Sequence, residues 1–380
     1  MENIHYLDNS ATTQVLEEAA QAALRLMRQD YGNPSALHAM GKQARDAMEQ
    51  ARGQVAGAMG CKAEQVIFTS CGTEGDNWAI SLAAHLGRHR GKHIITTAVE
   101  HSAVLEPCRQ LEQEGYEVTY LKPDRTGHIS AGQVAEALRE DTVLVSVMLV
   151  NNETGCLFPV ADIARLLKER GSRALLHCDA VQGFLKVPCA PAGWGVDLMS
   201  LSAHKLGGPK GIGALYVRPD LRNLRPLLAG GGQEEGLRSG TEATSQIAGF
   251  AKAVALRQEG LEEKLAHMAR IKAYCRERLL SIPGVVPVGG GEAPHILAVS
   301  RVGYPSANVI NDLGSQGICL SAGSACHRGK ASRGYAALGL DKRTAAGVLR
   351  LSFGPETTEG DIDALYEALL RHKNTRFSML

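Results

Sequence analysis

Between Val66 and Val217, short and almost wholly apolar runs alternate with segments of helical spacing. The runs at 66–69, 93–98, 118–121, 143–150, 174–178, 197–201 and 214–217 predict about seven strands. A strand that is apolar at every position must be covered on both faces. Strands of that kind, separated by amphipathic helices, predict an α/β fold with a mostly parallel sheet and helices on both sides. Helices are expected over 15–28, 42–59, 131–139 and 160–169, with two more that end near Ala84 and Glu114.

Beyond Val217 the pattern thins. One long helical stretch is expected over 244–280, then a strand at 296–300, a helix at 306–316, a strand at 348–353 and a last helix at 359–372. The fewer, wider-spaced strands predict a smaller α+β domain. The expected organisation is an arm (1–14) packing with the small domain, a large cofactor-binding domain (15–259) and a small domain (260–380) carrying a polar loop (321–334). With 41 basic and 40 acidic side chains the formal net charge is +1, which gives no attraction to nucleic acid or membrane. No apolar run has spanning length and no signal peptide pattern opens the chain, so a cytoplasmic protein is expected. Nine cysteines without framework spacing fit a reducing compartment. His85, His89 and His93 lack an intervening carboxylate and read as a solvated basic helix end, so no metal site is expected.

In open α/β sheets, ligands bind beyond the carboxyl ends of the strands. The polar clusters fall there: Gly72 and Thr73, His101, Asn152, Asp179 and Gln182, then Ser202, His204 and Lys205. Their joint chemistry is that of pyridoxal phosphate. Lys205, at a strand end among small residues, can hold the aldehyde as a Schiff base, although such a lysine can equally sit in a surface turn. Asp179 can keep the pyridine nitrogen protonated, or cap the next helix. Gly72 and Thr73 open a helix whose free N–H groups favour an anion, and Ser202 and His204 add donors. Gln182 can bond the ring hydroxyl. His101 can stack on the ring and pass protons, or be a satisfied core histidine. Asn33 sits in a turn-rich loop, where turn chemistry alone also accounts for it. Cys326 differs from the other cysteines: it lies in a small-residue loop beside His327, Arg328 and Lys330, which favours a thiolate nucleophile.

Read together, YLDNSATT, YGNPSALH, TSCGTEGDN, VEHSAVLEP, VNNETG, HCDAVQ, SLSAHKLGGPKGIGALYV, RSGTEA, SAGSACHRGK and VLRLSFG, in that order, resemble the NifS/IscS-like cysteine desulfurases of the class V, fold-type I pyridoxal phosphate enzymes. The resemblance spans nearly the whole chain. It implies that Lys205 carries the cofactor, Asp179 pairs with the pyridinium and His101 is the stacking acid/base. Gly72, Thr73, Ser202 and His204 match the phosphate cup, and Thr241 would reach it from the other subunit of a homodimer. Asn152 and Gln182 match the ring-hydroxyl side. Asn33 and Arg350 match the positions that hold the α-carboxylate of the substrate, L-cysteine. Cys326 matches the cysteine that accepts sulfur and passes it to an acceptor protein, an iron–sulfur scaffold or a sulfur relay. Selenocysteine lysis, or transamination or lysis on the same fold, are the nearest alternatives. Cys71 and Gly72 stand where relatives often have Gly and Ala, and the chain ends soon after its last helix, which puts the scaffold partner in question.

Overall fold

The computed structural model describes residues 4–221, 224–323 and 333–375. Strands β1 (His5–Tyr6), β2 (Val66–Thr69), β3 (His93–Thr97), β4 (Glu117–Leu121), β5 (Thr142–Met148), β6 (Leu175–Asp179), β7 (Leu198–Ser202) and β8 (Gly213–Val217) account for the first half. All but β1 form one seven-stranded sheet in the order β2-β8-β7-β6-β5-β3-β4. From β7 to β4 every pairing is parallel. Only β8 is reversed, antiparallel to both β7 and β2. The link from Ser202 to Gly213 has no room for a crossover helix, so the chain returns as an antiparallel neighbour. The expected mostly parallel α/β sheet is therefore present, and its six like-directed strands all end on one edge.

Burial explains the uninterrupted apolar runs. Every residue of β2, β3 and β5–β8 is buried, whereas the edge strand β4 is largely half-exposed. His93 opens β3, as the strand expected from 93 implies, and is buried with Thr142 and Thr119 on its two ring nitrogens. The predicted 244–280 helix is two helices, Thr244–Gln258 and Leu261–Leu280. Gly260, with φ of 59°, adopts the left-handed conformation between them and ends the continuity that periodicity alone implied.

Four further strands follow: β9 (Val285–Pro287), β10 (Ile296–Arg301), β11 (Ile318–Cys319) and β12 (Val348–Ser352). They make an antiparallel three-stranded sheet, β12-β10-β9, and a parallel pair of β1 with β11. A second hydrophobic cluster forms around them, with Ile271, Leu313, Leu351 and Leu365 among its members. Leu7, fully buried, belongs to this cluster. The arm is thus pinned at Leu7 while the residues just after it, Ser10 and Ala11, reach the edge of the large sheet. No described helix is long and apolar enough to cross a membrane.

Leu7→Ala is expected to cost about 2–5 kcal/mol, the range for a buried Leu truncation. Hydrogen exchange should then speed up over the arm, including the Leu7 amide that donates to the Cys319 carbonyl at 2.8 Å. Native protection there would show that the arm is held some other way.

Candidate functional site

A cleft of about 240 Å³ opens at the carboxyl edge of the large sheet. Ten of the expected site residues line it: Gly72, Thr73, His101, Asn152, Asp179, Gln182, Ser202, His204, Lys205 and Arg350. Asp179 and Ser202 are the last residues of β6 and β7. Lys205 ends the short 3-10 turn Ala203–Lys205 that follows β7. His101 caps the helix Ser102–Gln113 beyond β3, and Gly72 opens the helix Gly72–Gly87 beyond β2. The edge strand β4 contributes no lining residue.

The Lys205 amine donates to two arm carbonyls, Ser10 at 2.6 Å and Ala11 at 2.7 Å. Gln182 Nε2 donates to the same Ser10 carbonyl at 2.9 Å. The arm thus supplies the backbone oxygens that orient the lysine. Asp179 is buried, and its Oδ1 accepts from the Val181 amide at 2.9 Å. Burial above all, and then the nearby Asp76, push its carboxyl well above the usual carboxylate range. That environment favours a positive partner. His101 Nδ1 accepts from the Ala103 amide at 3.1 Å, which makes Nε2 the nitrogen that carries the imidazole proton. His204 is bonded through Nδ1 to Thr12 at 3.1 Å, and burial, followed by Lys205, lowers it to about 4, so the ring is neutral.

These residues fit a phosphate and a pyridine ring. Ser202 Oγ is buried and has no hydrogen-bond partner among the described residues. Among the described residues no side chain of the N-cap accepts from the first N–H groups of the helix at Gly72. A Cβ at Gly72 would come within 2.6 Å of the Val181 side chain, so glycine lets that side chain pack close to the helix start. A helix start, a spare hydroxyl and an open backbone together make an anion site.

Arg350, on β12, is almost fully buried. It donates to the Asn152 carbonyl at 2.9 Å and to Asp8 at 2.8 Å, while its Nε has no partner among the described residues. Asn152 and Arg350 are thereby tied together in the cleft. Two expected residues lie elsewhere. Asn33 is exposed and its Oδ1 accepts from the Ser35 amide, the turn chemistry foreseen as the alternative for it. Thr241 is exposed and outside the cleft, although Arg238 of the same segment pairs with Glu74 at 2.9 Å near the helix start. Cys326 lies outside the described residues. The eight described cysteines are all unpaired, and Cys108, Cys156, Cys178 and Cys275 are buried.

Sequence reasoning missed Asp76, which lines the cleft one helical turn after Gly72. Its carboxyl is raised by burial, and His177 Nε2 lies 3.4 Å from its Oδ1. His177 itself is lowered to about 4 by burial and is held by Ser146 at 2.9 Å and Ser200 at 3.0 Å. The signal was available: Gly72 and Asp76 share a helix face, and His177 and Asp179 share a sheet face. Glu100 was also missed. It is buried, accepts from Met148 N at 3.0 Å and Thr97 Oγ1 at 2.9 Å, and is pushed well up by burial.

Comparison with known proteins accords with this geometry. The family model "Aminotransferase class-V" matches residues 5–365. The chain is 42% identical over 372 residues to "Cysteine desulfurase 2" of Trichormus variabilis, covering 97% of this chain and 92% of that protein. It is 39% identical over 369 residues to "Cysteine desulfurase IscS" of Methanosarcina thermophila, covering 96% and 90%. Among solved structures, "NIFS-LIKE PROTEIN" superposes with a TM-score of 0.93 at 35% identity, over 98% of this chain and 100% of that one. "SspA in complex with cysteine" superposes with a TM-score of 0.80 at 34% identity, over 93% and 99%. By full-length relatives, family model and fold alike, the chain belongs to the class-V aminotransferase family and, within it, to the cysteine desulfurases.

Proposed function

We propose that the protein is a cytoplasmic, homodimeric cysteine desulfurase that takes sulfur from L-cysteine, releases L-alanine and carries the sulfur on Cys326 as a persulfide for an acceptor protein. The observation that carries this reading is the meeting of the Lys205 amine, the buried Asp179 carboxyl and the unsatisfied Ser202 hydroxyl in one cleft. Pyridoxal phosphate, the cofactor of the family, supplies an electron sink that lets the α-proton of an amino acid leave.

The chain's own residues do the rest. The N–H groups at Gly72 and Thr73, the Ser202 hydroxyl and the His204 ring bind the phosphate, and Thr241 of the partner subunit completes that cup. Asp179 holds the ring nitrogen in its positive form by supplying a negative charge in a buried site. Gln182 and Asn152 orient the ring oxygen, and His101 covers the ring and moves a proton at Nε2. Lys205 Nζ tethers the cofactor, and once displaced by the substrate amine it takes the α-proton. Arg350 holds the substrate carboxylate, the guanidinium turning its Nε donor to it, and Asn33, which lies outside the cleft of this chain, is its partner on the strength of the family resemblance alone.

Sulfur transfer then belongs to Cys326. Its thiolate attacks the substrate sulfur, the S–S bond forms as the C–S bond breaks, and the carbon takes the electron pair and a proton to leave as alanine. Homodimer formation has a surface to use: Leu24, Met27, Tyr31 and Leu37 are exposed on the first helix and the loop after it, the loop that carries Asn33. For the acceptor, an iron–sulfur scaffold or a sulfur-relay protein fits the persulfide chemistry.

Cys326→Ser should keep the visible absorbance of the cofactor and abolish sulfide release from L-cysteine. Intact-mass measurement should show the wild-type protein gaining one sulfur on Cys326 and the variant none. Full retained turnover would refute the role of Cys326. Borohydride reduction should fix the cofactor on Lys205, and a label on any other residue would refute the tether.

A pH dependence follows from Asp179. Its carboxyl rises from 3.8 to about 7 in the folded chain, so the folded state binds the proton more tightly than the unfolded one. The protonated group therefore favours folding, and that contribution is lost as pH rises from about 4 to about 7. In cofactor-free protein, Asp179→Asn should gain stability relative to wild type across this window, as read from urea midpoints at both ends. A difference that does not change with pH would contradict it.

A further inference from the structure

Three residues beyond Gln182, Leu185 has φ of 55°, a left-handed conformation that residues with side chains rarely adopt. Such strain persists where the surroundings impose it. The next residue, Lys186, is turned inward and is only 9% exposed. Its Nζ lies 3.3 Å from Gln182 Oε1, and among the described residues Gln182 is its one hydrogen-bond partner. Gln182 Nε2 in turn donates to the Ser10 carbonyl at 2.9 Å, the same oxygen that accepts from Lys205 at 2.6 Å. A continuous path thus runs from Lys186 through Gln182 and the Ser10 carbonyl to Lys205.

The position is hostile to an amine. The groups that face Lys186 are cationic or basic: Lys205, Arg257, His204 and His295. Arg257 lines the small cavity behind Lys205 together with Lys186 and spends its own charge on Glu356 and the Leu206 carbonyl. Burial foremost, then Lys205 and Arg257, hold the Lys186 amine well below the usual lysine range. A methionine would fill the same volume without a polar group to desolvate. The amine therefore needs a task that a hydrocarbon cannot perform.

We propose that Lys186 is a positioning residue that donates to Gln182 Oε1 and so keeps the amide nitrogen of Gln182 turned toward the Ser10 carbonyl and the cleft. The two ends of a glutamine amide have nearly the same shape, and only their partners decide which end faces which way. Ser10 O can only accept, and Lys186 supplies the matching donor on the other side. One Gln182 hydrogen is engaged by Ser10, and the second is available to the ring oxygen of the cofactor. This inference rests on the reading of Lys205 as the cofactor lysine and Gln182 as its ring partner.

The test is a double-mutant cycle on the holoenzyme with Lys186→Met, Gln182→Leu and the pair, read by the dissociation constant for pyridoxal phosphate and by the visible band. Lys186→Met should weaken retention about tenfold, the scale of one hydrogen bond, and shift the band. In the Gln182→Leu background the same change should add less than about twofold, because the two residues act as one unit. Lys186→Gln keeps a donor and most of the volume, and it should retain the cofactor within about twofold of wild type, a margin well inside one hydrogen bond. That arm also serves if the methionine variant does not fold. The proposal is overturned if Lys186→Met matches wild type, if its loss is undiminished beside Gln182→Leu, or if Lys186→Gln loses as much as Lys186→Met. Borohydride labelling of wild-type Lys205 is run in parallel. Its failure would overturn the cofactor reading, whereas intact labelling with no Lys186 effect overturns this inference alone.

Discussion

Parallel pairing in the large sheet is the constraint from which the site follows. A parallel sheet buried on both faces has no surface to offer except its edges, and there the backbone must turn. Six strands run in one direction, so six turns open on the same edge. The single reversal, β8, places the β7–β8 connection on that edge as a short loop instead of a crossover helix. Lys205 sits in this loop, next to Asp179 at the end of the neighbouring strand. The rigidity that positions both groups comes from strands in which no residue is exposed.

Electrostatics in the cleft runs against stability when nothing is bound. Asp76 and Asp179 line it and Glu100 is buried behind them, all three carboxyls with raised proton affinity, and Asp76 Oδ1, Glu100 Oε2 and Ser202 Oγ lack hydrogen-bond partners among the described residues. Isolated charges of this kind are costly in a low-dielectric interior. A ligand that brings a positive ring nitrogen to Asp179 and a phosphate to Ser202 relieves both deficits. On the proposed reading, binding free energy would be prepared by leaving these polar groups unmatched in the cleft. The neutral ring of His177, bonded to Ser146 and Ser200, lies 3.4 Å from Asp76 without adding a charge of its own.

Much of this was legible in the residues because burial and period were unambiguous. The strand at Val66–Thr69 and the helix at Val160–Glu169 were read to the residue, since turn residues flank an apolar run or an amphipathic stripe. Polar groups at strand ends pointed to nine of the cleft residues, and the tenth, Arg350 inside β12, followed only from the family resemblance. Other features were hidden for physical reasons. The helical stripe on either side of Gly260 keeps its period, so the break shows only in the backbone angle. Strands of two or three residues, such as β1, β9 and β11, are too short for alternation to register. Asp76 could be placed on the cleft side from the helix face it shares with Gly72, but its enclosure shows only in the packing of that helix. Nothing in the sequence marks Lys186 as buried, and it follows Leu185, whose φ of 55° is unusual for a residue with a side chain.

The arm joins the two parts of the molecule at the point where chemistry is expected. Leu7 is anchored in the second hydrophobic cluster, and Ser10 N donates to Ser352 Oγ on β12 at 2.7 Å. Asp8 accepts from Arg350, which also holds the Asn152 carbonyl beside the large sheet. Ser10 and Ala11 then present their carbonyls to Lys205 and Gln182. A movement of β12 relative to the large sheet would therefore act at once on the guanidinium and on the lysine amine. In the proposed reaction both would be needed in the same event, since Arg350 would grip the carboxylate of an incoming amino acid as its amine displaces Lys205. On that reading the carbonyls of Ser10 and Ala11, which already accept from Lys205, would receive the displaced amine without any new partner having to be ordered, which would lower the entropic cost of the exchange.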